Sequence, residues 1–201
     1  GEVGLNGVTV TLLNGSGGAD IDPITPGTQS LSMVTTNDVS IGDGYYQFTG
    51  LVPGTYIVQV TLPAGYQFSL QDAIPPADNT TDSDVDRIPG PNLGRTAVIT
   101  INENGDDQTW DAGLVPLASI GDYVWIDLDD DGFQDPTEVG LNGVTVTLLN
   151  GAGGTDIDPF VPGTQTASMV TANDPIGGAP GWYIFTNLRP DQQYIVQFTL
   201  A

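Results

Sequence analysis

Residues 2–15 read EVGLNGVTVTLLNG, and residues 138–151 read EVGLNGVTVTLLNG again. The match extends on the C-terminal side. GGADIDPITPGTQ (17–29) corresponds to GGTDIDPFVPGTQ (153–165), and SMVTTND (32–38) to SMVTAND (168–174). YYQFTGLVPGTYIVQVTL (45–62) corresponds to WYIFTNLRPDQQYIVQFTL (182–200), with two one-residue shifts. An offset of about 136–138 residues marks a tandem duplication. The copies are out of phase with the chain. IGDYVWIDLDDDGFQDPT (120–137) has no counterpart before Gly1, and 63–116 has none after Ala201. The sequence thus holds about one and a half repeats, with a boundary expected near Pro116–Ser119. The first repeat, 1–118, lacks an opening strand and the acidic loop that follows it. The second, 119–201, lacks its closing strands. This phase predicts a window from a longer array. The other reading is a stand-alone protein with two unequal domains.

The repeated segments alternate at period two. VTVTLL (8–13) and its twin 144–149 set Val and Leu against Thr. YYQFTGL (45–51), YIVQVTL (56–62), TAVITI (96–101), QTWDAGL (108–114) and SIGDYVWI (119–126) read the same way. Gly, Pro and Asn cluster between them, as at 15–18, 53–54 and 63–65. Short strands at this spacing predict an all-β antiparallel sandwich in each repeat. A repeat of this length is large enough to bury its own core.

Composition excludes much chemistry. The 201 residues hold 25 Asp+Glu, 3 Lys+Arg, no His and no Cys, a formal charge of −22. The cations are Arg87, Arg95 and Arg189, so there is no lysine. No Cys nucleophile, disulfide, Ser-His-Asp triad, His-metal site or Schiff-base lysine can be built. Nucleic acid and anionic membranes are poor partners, because their affinity rests on clustered Lys and Arg. No run of about 18 apolar residues is present to span a membrane. Hard cations bound by carboxylates remain within reach.

One segment has the spacing for that. Asp127, Asp129, Asp131, Gly132, Phe133, Asp135 and Glu138 fit the calcium-loop template D-x-D-x-D-G-x₅-E without a gap. Calcium takes about six to eight oxygens around one point. Carboxylates at loop positions 1, 3 and 5 converge when the chain curls, and Gly132 makes the sharp turn. The Phe133 carbonyl serves position 7, Asp135 acts at 9, and Glu138 closes the shell at 12. Without a cation these carboxylates repel one another. The alternative is a solvated acidic turn. Strands rather than helices flank the loop, which predicts a structural site and no helix-opening switch. The first repeat keeps only the last ligand, Glu2.

The combined motifs resemble a known family. SIGDYVWIDLDDDGFQDPTEVGLNGVTVTL (119–148) is similar to the opening of the B-type repeat of serine–aspartate repeat surface adhesins. GYYQFTGLVPGTYIVQVTLPAGYQFS (44–69) resembles its middle, and DSDVDRIPGPNLGRTAVITINENGDDQTWDAGL (82–114) its end. The resemblance covers essentially the whole chain. It implies prealbumin-like or immunoglobulin-like sandwiches, bound Ca2+, and a place in a secreted, surface-attached array. Related stalk domains often carry a Lys–Asn isopeptide bond, which this lysine-free chain cannot form. The resemblance also implies a second calcium site at Asp82, Asp84 and Asp86, helped by Asp122 or Asp106. In a strand the three alternating carboxylates would share one face. A solvated loop is the alternative.

Weaker signals point to packing. Asp20 and Asp22, repeated as Asp156 and Asp158, read as turn residues before Pro rather than metal ligands. Asn14 and Asn79 head glycosylation triplets. Trp110, Trp125 and Trp182 read as half-buried strand residues, with a sugar-binding face as the lesser alternative. No carboxylate pair stands apart from the acidic loop to serve a glycosidase, so no enzyme is expected. The expected function is a structural repeat of an extracellular stalk or filament, rigidified by calcium. A ligand-binding adhesin module on a cell surface is the second reading, and an accessory module of a secreted enzyme the third. An exposed groove is expected beside Val8–Leu13 where the opening strand is missing. Expected partners are neighbouring repeats or copies of the same protein, joined by strand complementation.

Overall fold

The structure, a computed structural model, describes residues 3–21, 31–72, 82–158, 167–190 and 192–200. Glu2, Asp22 and Asn79 lie outside them. The fold is all-β, built on antiparallel strand pairs, and among the described residues no helix forms. The chain divides into two compact units, Gly1–Val115 and Pro116–Ala201.

The first unit is built on β1 (Thr9–Asn14), the repeated VTVTLL segment. Its Val10 and Leu12 are buried while Thr9 and Thr11 are half-exposed, the alternation that the sequence spelled. β2 (Leu31–Val34) pairs with one edge of β1, with Thr9 opposite Val34. β3 (Thr36–Asp38) and β4 (Gly42–Tyr45) form a short hairpin. β5 (Gly54–Val60) pairs with the other edge of β1, with Leu12 opposite Val58, and buries Tyr56, Val58 and Val60. β6 (Tyr66–Phe68), β7 (Ile99–Ile101) and β8 (Leu114–Pro116) close the unit. β7 extends the main sheet to the order β2-β1-β5-β7, and β6 pairs with β8. Phe68, Val85 and Ile99 complete the core under β5.

The second unit opens with β9 (Ala118–Tyr123) and continues with β10 (Thr145–Asn150), β11 (Ala167–Val170), β12 (Trp182–Leu188) and β13 (Tyr194–Thr199). One sheet has the order β11-β10-β13; the other pairs β12 with β9. Val146 and Leu148 are fully buried against Tyr183, Phe185 and Leu188. The two units answer each other residue by residue. The β10–β11 register, Thr145 opposite Val170, repeats that of Thr9 and Val34.

Shared polar devices hold both frameworks. Thr35 donates its hydroxyl to the Leu5 carbonyl (2.7 Å) and accepts from the Val8 amide (3.0 Å). Thr171 does the same to Leu141 (2.7 Å) and Val144 (3.0 Å). Asn14 accepts from the Ser16 and Gly18 amides and donates to the Asp20 carbonyl. Asn150 repeats this with Ala152, Gly154 and Asp156. The asparagine amide thus organises the Gly-rich turn, and Asp158 pairs with Arg189 at 2.7 Å.

Thr171 is 2% exposed, so its hydroxyl is the buried partner of two main-chain groups. Thr171→Val keeps the shape and removes both bonds. It should destabilise the second unit by about 1–3 kcal/mol, the cost of leaving buried polar groups unpaired. Faster amide exchange at Val146 and Leu148 reports the loss. Thr199→Val, at an exposed position of β13, should change stability by no more than about 0.5 kcal/mol.

Candidate metal centre

The acidic loop leaves β9 and returns to the sheet through Gly140, which bridges to Trp125. Its curl is set by main-chain amides. Asp127 accepts from the Asp130 amide (2.8 Å) with one oxygen and from the Gly132 amide (3.0 Å) with the other. Gly132 adopts φ +81°, the left-handed region open to glycine, at the sharp turn. Asp131 accepts from the Phe133 amide at 2.7 Å. Glu138 reaches back across the loop and accepts from Leu128 (2.7 Å) and Asp135 (3.1 Å).

The result brings Asp127, Asp129 and Asp131 together at the surface, each offering an oxygen within 4.8 Å of the others. Glu138 sits at the loop neck, engaged with amides, and Asp135 hydrogen-bonds to it through its own main chain. Phe133 is 72% exposed. The amides of Gly132 and Asp130 hold the Asp127 carboxyl below the usual carboxylate range, so it stays charged at neutral pH. Hard carboxylate oxygens converging on one point, on a glycine-turned loop, fit calcium.

A second acidic group lies in the first unit. The segment 82–86 is not a strand: Ser83 bridges to Gln71, and Asp84 donates its amide to the Asp111 carbonyl. Asp82 is 7% exposed and Asp84 2% exposed, with the apolar Val85 buried beside them. Neither carboxylate oxygen of Asp82 has a hydrogen-bond partner among the described residues. Asp84 accepts from the Asp111 amide at 2.6 Å. Asp86 instead caps the Ile88 amide at 2.9 Å. Asp106 holds Gln108 at the surface, and Asp122 stands on β9 of the second unit opposite Tyr183. Asp111 is the member that the sequence reading missed. Its signal was an acid inside QTWDAGL, a run otherwise read as an ordinary strand.

Burial pushes the Asp84 carboxyl up to about 6. The Asp111 amide opposes the rise, and the charges of Asp111, Asp82 and Asp72 add to it. Asp111 is raised as well, first by burial and then by Asp82. Asp82, Asp84 and Asp111 thus gather their negative charge in one place. The tryptophans fill structural roles. Trp110 packs on the core and donates to Asp107 at 2.9 Å, and Trp182 pairs with Tyr123 across β12 and β9.

The chain matches the SdrD B-like domain family over residues 1–114 and again over 118–201. It is similar to the serine-aspartate repeat-containing protein C of Staphylococcus aureus strain N315, with 39% identity over 154 residues. The same protein of strain Newman is 38% identical over 154 residues. In both cases the alignment covers 76% of this chain and 13% of the relative, so the chain spans a small part of these proteins' length. No solved structure matches the chain. The chain belongs to the SdrD B-like domain family, in two successive copies.

The Asp84 shift has a pH consequence. Its folded value lies above the unfolded carboxylate value of about 3.9. The folded state therefore holds the proton more tightly, and stability falls as pH rises through the window from about 4 to about 6. In a chelator, taking the chain from about pH 7 to about pH 5 should raise the protection factors of the Val58 and Val60 amides, once exchange is corrected for the slowing that every amide shows at lower pH. Lower protection factors there at the lower pH would contradict the assignment.

Proposed function

We propose that the chain is a structural segment of an extracellular, surface-attached stalk or filament, made of sandwich repeats that calcium rigidifies. The observation that carries this reading is the convergence of Asp127, Asp129 and Asp131 on one point in a duplicated, non-helical framework. Its work is mechanical rather than catalytic. Asp127 and Asp131 shape the loop through their amide contacts, and Glu138 ties the loop's neck. Asp127, Asp129, Asp131, Asp135, Glu138 and the Phe133 carbonyl are the groups that would hold the ion. Asp82, Asp84 and Asp111 form the second site, with Asp86 as an outer contributor of negative potential. Bound calcium supplies the positive charge that lets these carboxylates stay ionised side by side. The loop joins β9 to β10, so fixing it fixes the opening strand on the sandwich. A run of such units resists bending and proteolysis because few loose connections remain.

Titration calorimetry of the full chain tests the two sites. Asp127→Asn with Asp129→Asn should remove one equivalent of bound calcium and leave the β-sheet circular dichroism unchanged. Asp82→Asn should remove a different equivalent. An unaltered stoichiometry in the first variant would mean that the acidic loop is only a solvated turn.

A further inference from the structure

Five Asn-Gly pairs stand in the sequence: Asn6-Gly7, Asn14-Gly15, Asn104-Gly105, Asn142-Gly143 and Asn150-Gly151. Such a pair carries its own covalent chemistry. The glycine amide nitrogen attacks the asparagine Cγ, and glycine has no Cβ to obstruct the approach. A new N–Cγ bond closes a succinimide ring. The carboxamide nitrogen leaves as ammonia, taking the proton that the amide gives up. Water then opens the ring at either carbonyl, leaving aspartate or isoaspartate. The reaction needs water, a carboxamide free to swing onto the next nitrogen, and a main chain free to bring the two together.

The fold withholds that freedom from four of the pairs. Asn6 donates to Asp43 at 2.8 Å and accepts from the Gly44 amide at 2.9 Å, while the Gly7 amide donates to the Thr35 carbonyl at 2.9 Å. Asn142 donates to Asn173 at 2.6 Å and accepts from the Gly181 amide at 2.7 Å, while the Gly143 amide donates to the Thr171 carbonyl at 3.0 Å. Asn14 and Asn150 are clamped by the turns that they organise, and the Gly15 amide donates to the Thr55 carbonyl at 2.7 Å. These bonds anchor each pair to the sheet framework, so freeing it means opening that framework.

Asn104-Gly105 is placed differently. It follows β7 in a segment, 102–108, that is exposed throughout. Asn104 adopts φ +56°, in a turn closed by the Gly105 amide donating to the Asn102 carbonyl at 3.0 Å. Among the described residues its carboxamide has no hydrogen-bond partner. The turn opens without disturbing a strand ladder, and opening of that kind costs little. The pair lines the groove of about 610 Å³ beside 45–51, which does not open along Val8–Leu13 as the sequence suggested, because β1 is paired on both sides.

We propose that Asn104 is a site of spontaneous conversion to aspartate or isoaspartate in the folded protein, and that the fold shields the other four Asn-Gly pairs. The product adds one negative charge to the acidic run of Glu103, Asp106 and Asp107. Isoaspartate also lengthens the main chain just ahead of Asp107, which holds the Trp110 ring nitrogen at 2.9 Å.

The test ages the full chain at neutral pH, folded and in guanidinium chloride, and follows each pair by peptide mapping with mass spectrometry. Asn6 and Asn142 lie in identical stretches and are read together. In the folded chain Asn104 should convert faster than any other pair by about tenfold or more. In guanidinium chloride the rates should converge. In Asn104→Gln, the acidic species that the folded parent chain accumulates on ion exchange should be lost. Conversion of another pair as fast as Asn104 in the folded chain overturns the proposal. So does an Asn104 that stays intact in the folded chain while the denatured chain converts, or an acidic species that persists in Asn104→Gln.

Discussion

Asp82 lies almost fully buried, with neither carboxylate oxygen hydrogen-bonded among the described residues, in a chain of net charge −22. An isolated buried carboxylate costs several kcal/mol unless a countercharge or a proton relieves it. Asp84 and Asp111 make the place more negative, and their carboxyls are pushed up first by burial and then by the neighbouring carboxylates. Arg87, Arg95 and Arg189 are too few to balance the acids, and Arg189 is paired with Asp158. The same problem recurs at the surface where Asp127, Asp129 and Asp131 converge. There the amides of Gly132, Asp130 and Phe133 offset part of the repulsion. The apolar sandwich supplies the compaction, and under the proposed function a cation at the acidic segments would relieve the charge that opposes it.

The duplication serves as an internal comparison. β5 and β13 share the sequence YIVQ-x-TL, but their burial differs. Val60 is 4% exposed, whereas its equivalent Phe198 is 49% exposed. The difference lies in what covers the strand. In the first unit Phe68, Val85 and Ile99 pack beneath β5, and β7 pairs with its edge. In the second, Tyr183 meets the Phe198 ring at 5.6 Å, and no described strand pairs with β13 beyond β10. The opening strand shows the converse: β9 buries Tyr183 and Phe185, while Tyr46 and Phe48 remain half-buried without one. Each copy thus displays the part of the sandwich that the other leaves uncovered.

Much of this was legible in the residues. Period-two alternation located β1, β5 and β10, because a sheet with one buried face forces that pattern. The acidic loop was legible because ligand geometry fixes residue type and spacing along a short contiguous stretch. What escaped depends on contacts distant in sequence. Asp111 meets Asp84 across 27 residues, and the Thr35 hydroxyl reaches the Leu5 carbonyl across 30. A lone Thr at the end of SMVT gives no sign that it serves two main-chain groups. The groove was expected beside β1 because that strand dominates the sequence signal. It lies instead beside 45–51, since the opening strand pairs with the second sheet layer.

The most direct measurement of the central claim is the melting temperature of the full chain against free calcium, with sodium chloride holding ionic strength constant. A ligand that binds only the folded state adds stability as its concentration passes Kd, about 4 kcal/mol at roughly a thousand times Kd. The account predicts a rise with the logarithm of calcium concentration that sodium and magnesium do not reproduce at equal ionic strength. A melting temperature identical in EDTA and in excess calcium would contradict it, and would mean that the buried carboxylates are relieved by protons or solvent alone.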